Sequence, residues 1–335
     1  MRRLLLSVAF VLLATAAVAA GVDRDVLITG SGAVYSVVSQ PSKDGSSLAL
    51  TVEIDGKTTQ SMVPESIGSG RNSLPTLAWD PESHTLFVVW MHMPNSSSSE
   101  LLVASYRDDK WQPAVSVDYK RAQRYNLSVG ITHMVRQKQR DDSVEVAPAL
   151  VLHTAWWEEG SETTGPRYAV MGLSGGTVSE PDIHQMTDFV EAGDQPLVLD
   201  DTFNHDFLRH VSIIDGPTPD AVDVIFNDPR TNNFYRTTLR PIAEGRLHIP
   251  VGARPGGTPK LGGPKAFAVD WTGRTSTIAS TDGKTLIFCN ITDQRVDYVK
   301  VNAGNWSATQ HVTLSDKVTA ESALSALARM AAARE

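Results

Sequence analysis

The feature that most constrains the fold is a block of short hydrophobic strands, clearest at Pro75–Val117, that recurs downstream. It reads P-T-L-A-W-D-P-E-S-H-T-L-F-V-V-W, then a polar gap, then E-L-L-V-A-S-Y-R-D-D-K-W-Q-P-A-V-S-V. This pattern predicts four strands joined by three turns. A supersecondary unit that repeats at roughly 40–60 residues is typical of a β-propeller.

Several predicted strands are apolar on both faces, and the best example is the run L-F-V-V-W that ends at Trp90. A strand with one wet face alternates between apolar and polar residues, so these strands must lie in sheets covered on both sides. Each blade of a propeller lies between two neighbours in this way. We therefore predict an all-β fold, a single β-propeller of five four-stranded blades, with six blades as the alternative.

Two of the repeats depart from the pattern. The first shows three strands, at Ala33–Ser39, Ser47–Ile54 and Lys57–Val63, but no clear opening strand. Strands from both chain ends could complete this blade and would leave no exposed sheet edge. The third repeat carries a highly polar insert, Arg136–Asp142, which we expect to be a projecting loop.

The first twenty residues have the pattern of an export signal. Arg2 and Arg3 form a charged start, Leu4–Val18 is apolar, and small residues follow. We predict a signal peptide at residues 1–20, a mature chain that starts at Ala20 or Gly21, and a periplasmic or secreted location. No membrane insertion is expected after cleavage, and the two arginines also permit the folded-protein export route.

The end of the chain changes character. Ser315–Glu335 is rich in alanine, with Leu324 and Leu327 in a narrow apolar stripe, and this favours a short helix. The domains are therefore predicted as the propeller at residues 21–315 and a C-terminal helix or tail at residues 316–335. We expect this helix to contribute little to the fold.

Composition limits the partners. The formal net charge of −8 argues against binding to nucleic acid or to an anionic membrane surface. The chain has one cysteine, Cys289, so no disulfide can form within it. Its apolar neighbours in sequence predict a buried, unreactive thiol. We expect a monomer.

The segment Ser105–Trp111, S-Y-R-D-D-K-W, resembles the Asp-box of sialidase-like β-propellers, a turn of pattern Ser-x-Asp-x-Gly-x-x-Trp. Ser280–Gly283 resembles its opening half and Asn305–Ala308 its closing half, and none of these matches is complete. In that family the motif is structural, so the resemblance implies the fold. The Phe/Tyr-Arg-Ile-Pro motif that supplies a catalytic arginine in sialidases is absent, and no catalytic residue is carried over.

Propeller topology predicts which loops meet. Strands within a blade alternate in direction, so the turns between second and third strands open on the same face as the connections between blades. Polar and aromatic residues of these loops should gather on one rim of the central channel, where ligands commonly bind. The candidate ligand-binding residues are Arg71, His92, Arg124, Trp157, Glu158, Glu159, Asp201, His205, Asp206, Arg209 and Asp228.

Two of these segments suggest chemistry. Glu158 and Glu159 follow a tryptophan pair, and paired carboxylates beside aromatic rings are how glycosidic bonds are often cleaved. The segment Asp194–His210 holds histidines and carboxylates, but its spacing matches no known metal-ligand set. We predict no metal and no cofactor, and a solvated, structural role for each residue remains an alternative.

These observations leave three functions open. The first is an exported, non-catalytic propeller that binds a glycan or an extracellular or envelope protein. The second is a sialidase-like glycoside hydrolase, which is the class of enzyme to expect if the protein is catalytic. The third is an envelope assembly scaffold. We favour binding because the sialidase arginine motif is missing, and fold alone cannot decide function.

Overall fold

A computed structural model of the protein describes residues 23–68, 70–140, 143–160, 164–174, 177–179, 181–186, 209–228, 233–242, 246–248, 260–262, 274–280, 284–302, 305–315 and 317–332. Within these ranges the chain forms five antiparallel sheets and one helix, α1 (Ala320–Ala332). The sheets are the blades of a five-bladed β-propeller, which confirms the predicted fold class and the blade number of five.

Blade 1 is built entirely from the start of the described chain. Its strands, from the channel outward, are β1 (Arg24–Ile28), β2 (Val34–Ser42), β3 (Gly45–Ile54) and β4 (Lys57–Met62). The expected closure by strands from both chain ends is therefore wrong. The opening strand is the short segment R-D-V-L-I, which was overlooked because only three of its residues are apolar.

The other four blades share a design in which the fourth strand is broken into two segments that both pair with the third strand. Blade 2 comprises β5 (Arg71–Asp80), β6 (Thr85–Asn95), β7 (Ser98–Arg107), β8 (Lys110–Trp111) and β9 (Val115–Lys120). Blade 3 comprises β10 (Ala122–Arg140), β11 (Ser143–Gly160), β12 (Thr164–Ser174), β13 (Thr177–Val178) and β14 (Asp182–Gln185). Blade 4 comprises β15 (Val211–Asp215), β16 (Val222–Asp228), β17 (Asn233–Ile242), β18 (Arg246–His248) and β19 (Lys260–Gly262). Blade 5 comprises β20 (Arg274–Ala279), β21 (Thr285–Ile291), β22 (Arg295–Asn302), β23 (Asn305–Trp306) and β24 (Gln310–Thr313).

Apolar side chains fill the spaces between neighbouring blades. Trp90 on β6 packs toward blade 1, and Trp156 on β11 packs toward blade 2. Each lies opposite the bulge in the first strand of its blade and faces the preceding blade, so the predicted equivalence of the two residues is confirmed. The predicted position at the strand end is wrong for Trp90, which lies in the middle of β6. Burial on both faces explains why these second strands are apolar throughout.

The polar insert of blade 3 is a strand extension rather than a loop. β10 and β11 stay paired from Arg136↔Ala147 to Arg140↔Ser143, while β12 joins β11 only from Leu150 onward. The hairpin therefore continues beyond the sheet as a two-stranded ribbon. The predicted loop is wrong for residues 136–140, and residues 141–142 lie outside the described chain.

The Asp-box resemblance is not confirmed by the local geometry. Asp109 accepts a hydrogen bond from the Tyr106 hydroxyl at 3.1 Å. An aspartate that caps turn amides is found instead at Asp80, whose carboxylate accepts the N–H groups of Glu82 and Ser83, both at 3.1 Å.

Side chains of the innermost strands join the blades across the centre of the ring. The carboxylate of Asp25 accepts the Leu77 N–H at 2.8 Å, and the hydroxyl of Ser128 accepts the Ile213 N–H at 3.0 Å. Asn126 lies at a β-bulge in β10 with a positive φ of 52°. Its amide donates to the Arg209 carbonyl of blade 4 and accepts the Thr275 N–H of blade 5 at 3.2 Å. Blade 3 is thereby bonded to two other blades at one point.

The C-terminal helix packs on blade 5. Ala323, Leu327 and Ala331 are buried against that blade, so the helix is part of a hydrophobic core. The expectation that it contributes little to the fold is therefore revised. Across the portion of the chain that the structure describes, no helix is both long enough and apolar enough to span a bilayer.

Candidate functional site

The predicted rim lies where β10 begins and β11 ends. Here the two strands pair Arg124 with Glu158 and Tyr125 with Trp157. Successive residues of a strand point to opposite faces of the sheet, so these two pairs face different neighbours. Arg124 and Glu158 face blade 2, whereas Tyr125, Trp157 and Glu159 face blade 4.

The blade 2 side is a buried ionic cluster around Glu158. Its side chain is 1% exposed and lies 3.7 Å from Lys120 Nζ, 3.5 Å from Arg124 Nε and 3.5 Å from Arg167 Nε. The indole N–H of Trp156 donates to Glu158 Oε2 at 3.3 Å. Burial alone would raise the pKa of Glu158, but the three cations outweigh it and lower that pKa below its ordinary value. Glu158 is therefore held ionised.

Arg124 completes this cluster from the channel side. Its side chain is fully buried, forms an ion pair with Asp118 at the end of blade 2, and donates to the Asp118 carbonyl at 2.9 Å. The guanidinium carbon lies 5.5 Å from the centroid of the Trp156 ring, which is cation–π distance. Arg124 thus links blade 2 to blade 3, and its charge is compensated from both sides.

The blade 4 side is more open. Glu159 and Arg209 form an ion pair, and each side chain is 21% exposed. The Arg209 guanidinium carbon lies 4.7 Å from the centroid of the Tyr125 ring. Burial raises the pKa of Tyr125, and the Glu159 carboxylate raises it further. Tyr125, Glu159 and Arg209 form the accessible part of the rim that the structure describes, and we call them the rim triad.

Two predicted site residues lie one junction away, between blades 1 and 2. Arg71 is exposed and lies 3.5 Å from Asp23. The ring of His92 shares the Asn72 side-chain oxygen, at 3.1 Å, with the indole N–H of Trp90 at 3.0 Å. The topology therefore puts these residues on the same face as the rim triad without bringing them into it.

Four of the remaining candidates have side chains outside the described residues. Asp201, His205 and Asp206 lie outside the described residues, and so does the side chain of Asp228, whose backbone ends β16. Trp157 is described and is fully buried. It pairs with Tyr125 in the register of β10 and β11 but adds no accessible surface to the rim triad.

Sequence reasoning missed several residues that build this site. Tyr125 stacks under Arg209, Lys120 and Arg167 neutralise Glu158, and Asn126 bonds to the Arg209 backbone. The sequence analysis places Glu158 and Glu159 in a turn, but both lie in β11, where successive residues point to opposite faces of the sheet. The contacts from Arg167 and Arg209 arise from other parts of the chain and leave no local pattern.

Histidine and cysteine side chains near the core are structural. His153 bonds to Thr132 at 2.7 Å and to the Tyr168 hydroxyl at 2.6 Å, and burial lowers its pKa to about 3. Burial also raises the pKa of Cys289 to about 12, as expected for an unreactive thiol. Among the described residues, no group of three or more His, Cys, Asp or Glu side chains could share a metal ion.

Comparison with known proteins identifies no family. No family model matches the chain, and no curated protein matches it. A solved structure of a protein of unknown function from Dyadobacter fermentans is 10% identical, with a TM-score of 0.42, and the match covers 88% of this chain and 83% of that protein's chain. An alpha-L-arabinofuranosidase from Lactobacillus brevis is 12% identical, with a TM-score of 0.39 and coverage of 89% and 92%. A GH43_1 enzyme from Xanthomonas citri is 10% identical, with a TM-score of 0.36 and coverage of 89% of each chain.

Proposed function

We propose that this protein is an exported, non-catalytic β-propeller that binds a glycan at the rim triad. The observation on which the proposal depends is the opposite orientation of Glu158 and Glu159. Acid–base cleavage of a glycosidic bond needs two carboxyl groups that flank the same bond. Glu158 is sealed between blades 2 and 3 and held ionised, so it has no proton to donate and no route to a substrate.

The chemistry of the rim triad supports a hydroxyl-rich ligand. Glu159 supplies acceptors and Arg209 supplies donors, both held in place by their ion pair and by the Tyr125 ring. Hydrogen bonds with a charged partner are stronger than neutral ones, so sugar hydroxyl groups that bond to Glu159 and Arg209 would be held firmly. Hydrogen bonds across the centre of the ring favour a ligand that lies on the rim over one that enters the channel.

A glycan array combined with a broad glycosidase substrate screen tests the proposal. We expect the wild-type chain to retain at least one glycan and to hydrolyse none. Arg209→Ala should weaken binding about tenfold or more, since a charged hydrogen bond contributes roughly 1.5–3 kcal/mol. Arg240→Ala is the matched control, because Arg240 is exposed near the far end of β17, on the opposite face.

Three results would reject the proposal. Turnover of a glycoside would make the protein a hydrolase. Binding that survives Arg209→Ala would move the site elsewhere on the molecule. Absence of glycan binding together with retention of an envelope protein would favour the scaffold function instead.

A further inference from the structure

A row of four side chains crosses blade 2 at its rim end. Direct pairing across neighbouring strands joins Asn72 on β5, His92 on β6, Glu100 on β7 and Tyr119 on β9. Residues paired in this way share one face of the sheet, with Cβ atoms about 4.5–5.5 Å apart. The row faces blade 1, because Trp90, two residues before His92 on the same strand, packs there. Exposure increases outward, from 1% for Asn72, through half-buried His92 and Glu100, to 57% for Tyr119.

The buried inner end of the row fixes the state of the His92 ring. The Asn72 amide nitrogen donates to the backbone carbonyls of Ser46 and Ser66 in blade 1, so the amide oxygen must be an acceptor. That oxygen accepts the indole N–H of Trp90 at 3.0 Å and lies 3.1 Å from His92 Nδ1. His92 Nδ1 therefore carries a hydrogen. In the neutral ring the other nitrogen, Nε2, is left as an acceptor.

The outer part of the row presents acceptors and an aromatic ring. Within the described part of the chain, neither His92 Nε2 nor the Glu100 carboxylate forms a hydrogen bond or an ion pair. Tyr119, the next residue outward, is the most exposed tyrosine, tryptophan or phenylalanine that the structure describes. Two acceptors on adjacent strands and one open ring therefore lie side by side.

This arrangement suits a neutral ligand that donates hydrogen bonds. Arg71 precedes Asn72 in β5 and Lys120 follows Tyr119 in β9, and their side chains are 53% and 41% exposed, so a cationic ligand is disfavoured. A pyranose sugar has adjacent hydroxyl donors and an apolar C–H face. Its hydroxyl groups would form charge-assisted bonds to Glu100, and its C–H face would pack on the electron-rich face of the Tyr119 ring.

We propose that this row is a second sugar-binding site, in which His92 Nε2 and Glu100 accept hydroxyl hydrogens and Tyr119 stacks on the sugar ring. It takes a neutral pyranose. The row lies between blades 1 and 2, whereas the rim triad lies between blades 3 and 4. The inference therefore does not depend on a ligand at the rim triad.

Saturation-transfer NMR with the methyl pyranosides of glucose, galactose, mannose and xylose tests the site. The full chain carrying Arg209→Ala is the parent protein, because that change weakens any sugar binding at the rim triad. We expect the parent to bind at least one of the four probes. Glu100→Gln and Tyr119→Ala should each weaken that binding about tenfold or more. Glu53→Gln is the matched control, since Glu53 is exposed near the opposite end of blade 1, and it should bind like the parent.

Nitrogen NMR of the His92 ring gives a readout that needs no ligand, and we expect the hydrogen of the neutral ring on Nδ1. His92→Asn keeps an amide near the Nδ1 position but has no group at Nε2, so it should stay folded and lose binding. The proposal is overturned if none of the four probes binds the parent protein. It is also overturned if the Glu100 and Tyr119 variants bind like the parent, or if the neutral His92 ring carries its hydrogen on Nε2. The glycan array tests the rim triad separately, so either site can fail without the other.

Discussion

Glu158 and Glu159 are adjacent in the chain but have different environments. One is enclosed by three cations between blades 2 and 3, and the other forms a partly exposed ion pair with Arg209. A buried charge that loses its partners costs far more than a surface pair, because water cannot replace the missing charge. The two residues should therefore respond differently to the same substitution.

We expect Glu158→Ala to lower the free energy of unfolding by about 3–5 kcal/mol, since it leaves Arg124 buried with part of its charge uncompensated. Glu159→Ala should cost no more than about 1 kcal/mol. Urea unfolding of both variants measures the difference. Equal losses would show that the cluster around Glu158 is open to water.

His153 and His210 should make the protein sensitive to acid. Both are buried, and desolvation lowers the pKa of each to about 3, whereas the pKa of an unfolded histidine is about 6.5. Between these values the unfolded chain binds a proton that the folded chain does not. The free energy of unfolding is therefore not reduced by these histidines above pH 6.5. Below that pH it falls by about 1.4 kcal/mol per pH unit for each histidine as the pH drops toward 3.

Unfolding free energies measured from pH 7 to pH 4 test this expectation. His153→Gln keeps a polar side chain beside Thr132 and Tyr168 but cannot titrate. As the pH falls, the free energy of unfolding of this variant should decrease by about 1.4 kcal/mol less per pH unit than that of the wild type, because one proton fewer is taken up on unfolding. An unchanged slope would mean that His153 is protonated in the folded state.

At the scale of elements, the bulge of β10 joins three blades through Asn126. Its positive φ of 52° costs an alanine roughly 1–2 kcal/mol, and removal of the amide leaves the Arg209 carbonyl and the Thr275 N–H unpaired. We expect Asn126→Ala to be the more destabilising change, and Asn126→Gly to recover about 1 kcal/mol by tolerating that φ. Thermal and urea unfolding give the comparison, and identical stabilities of the two variants would exclude backbone strain as a factor.

The strands that the sequence predicts well are those buried on both faces, because an apolar run such as Leu86–Trp90 has few alternatives. β1 escaped prediction because a channel-lining strand needs little apolar surface. The breaks in the fourth strands and the bulge at Asn126 depend on contacts with other blades, so the local sequence does not predict either feature. For the same reason the sequence predicts that these segments meet at one rim, but it does not predict that Arg124 and Glu158 are buried there.

At the scale of the whole molecule, the export prediction stays open and is readily tested. The small residues after the apolar run predict a mature chain that begins at Ala20 or Gly21. N-terminal sequencing of protein from the periplasm or medium should give one of these two starts. An intact Met1 in the membrane fraction would contradict the predicted cleavage and location.

The bridge made by Asn126 also bears on the order of folding. Its two partners lie 83 and 149 residues further along the chain, so neither bond can form until blades 4 and 5 have been brought back to blade 3. Contacts between such distant residues are closed late and slow the folding of β-rich chains. Blades 1 to 3 can assemble from nearer contacts, and the centre of the ring is where folding should be completed. Variants at Asn126 should therefore speed unfolding more than they slow folding.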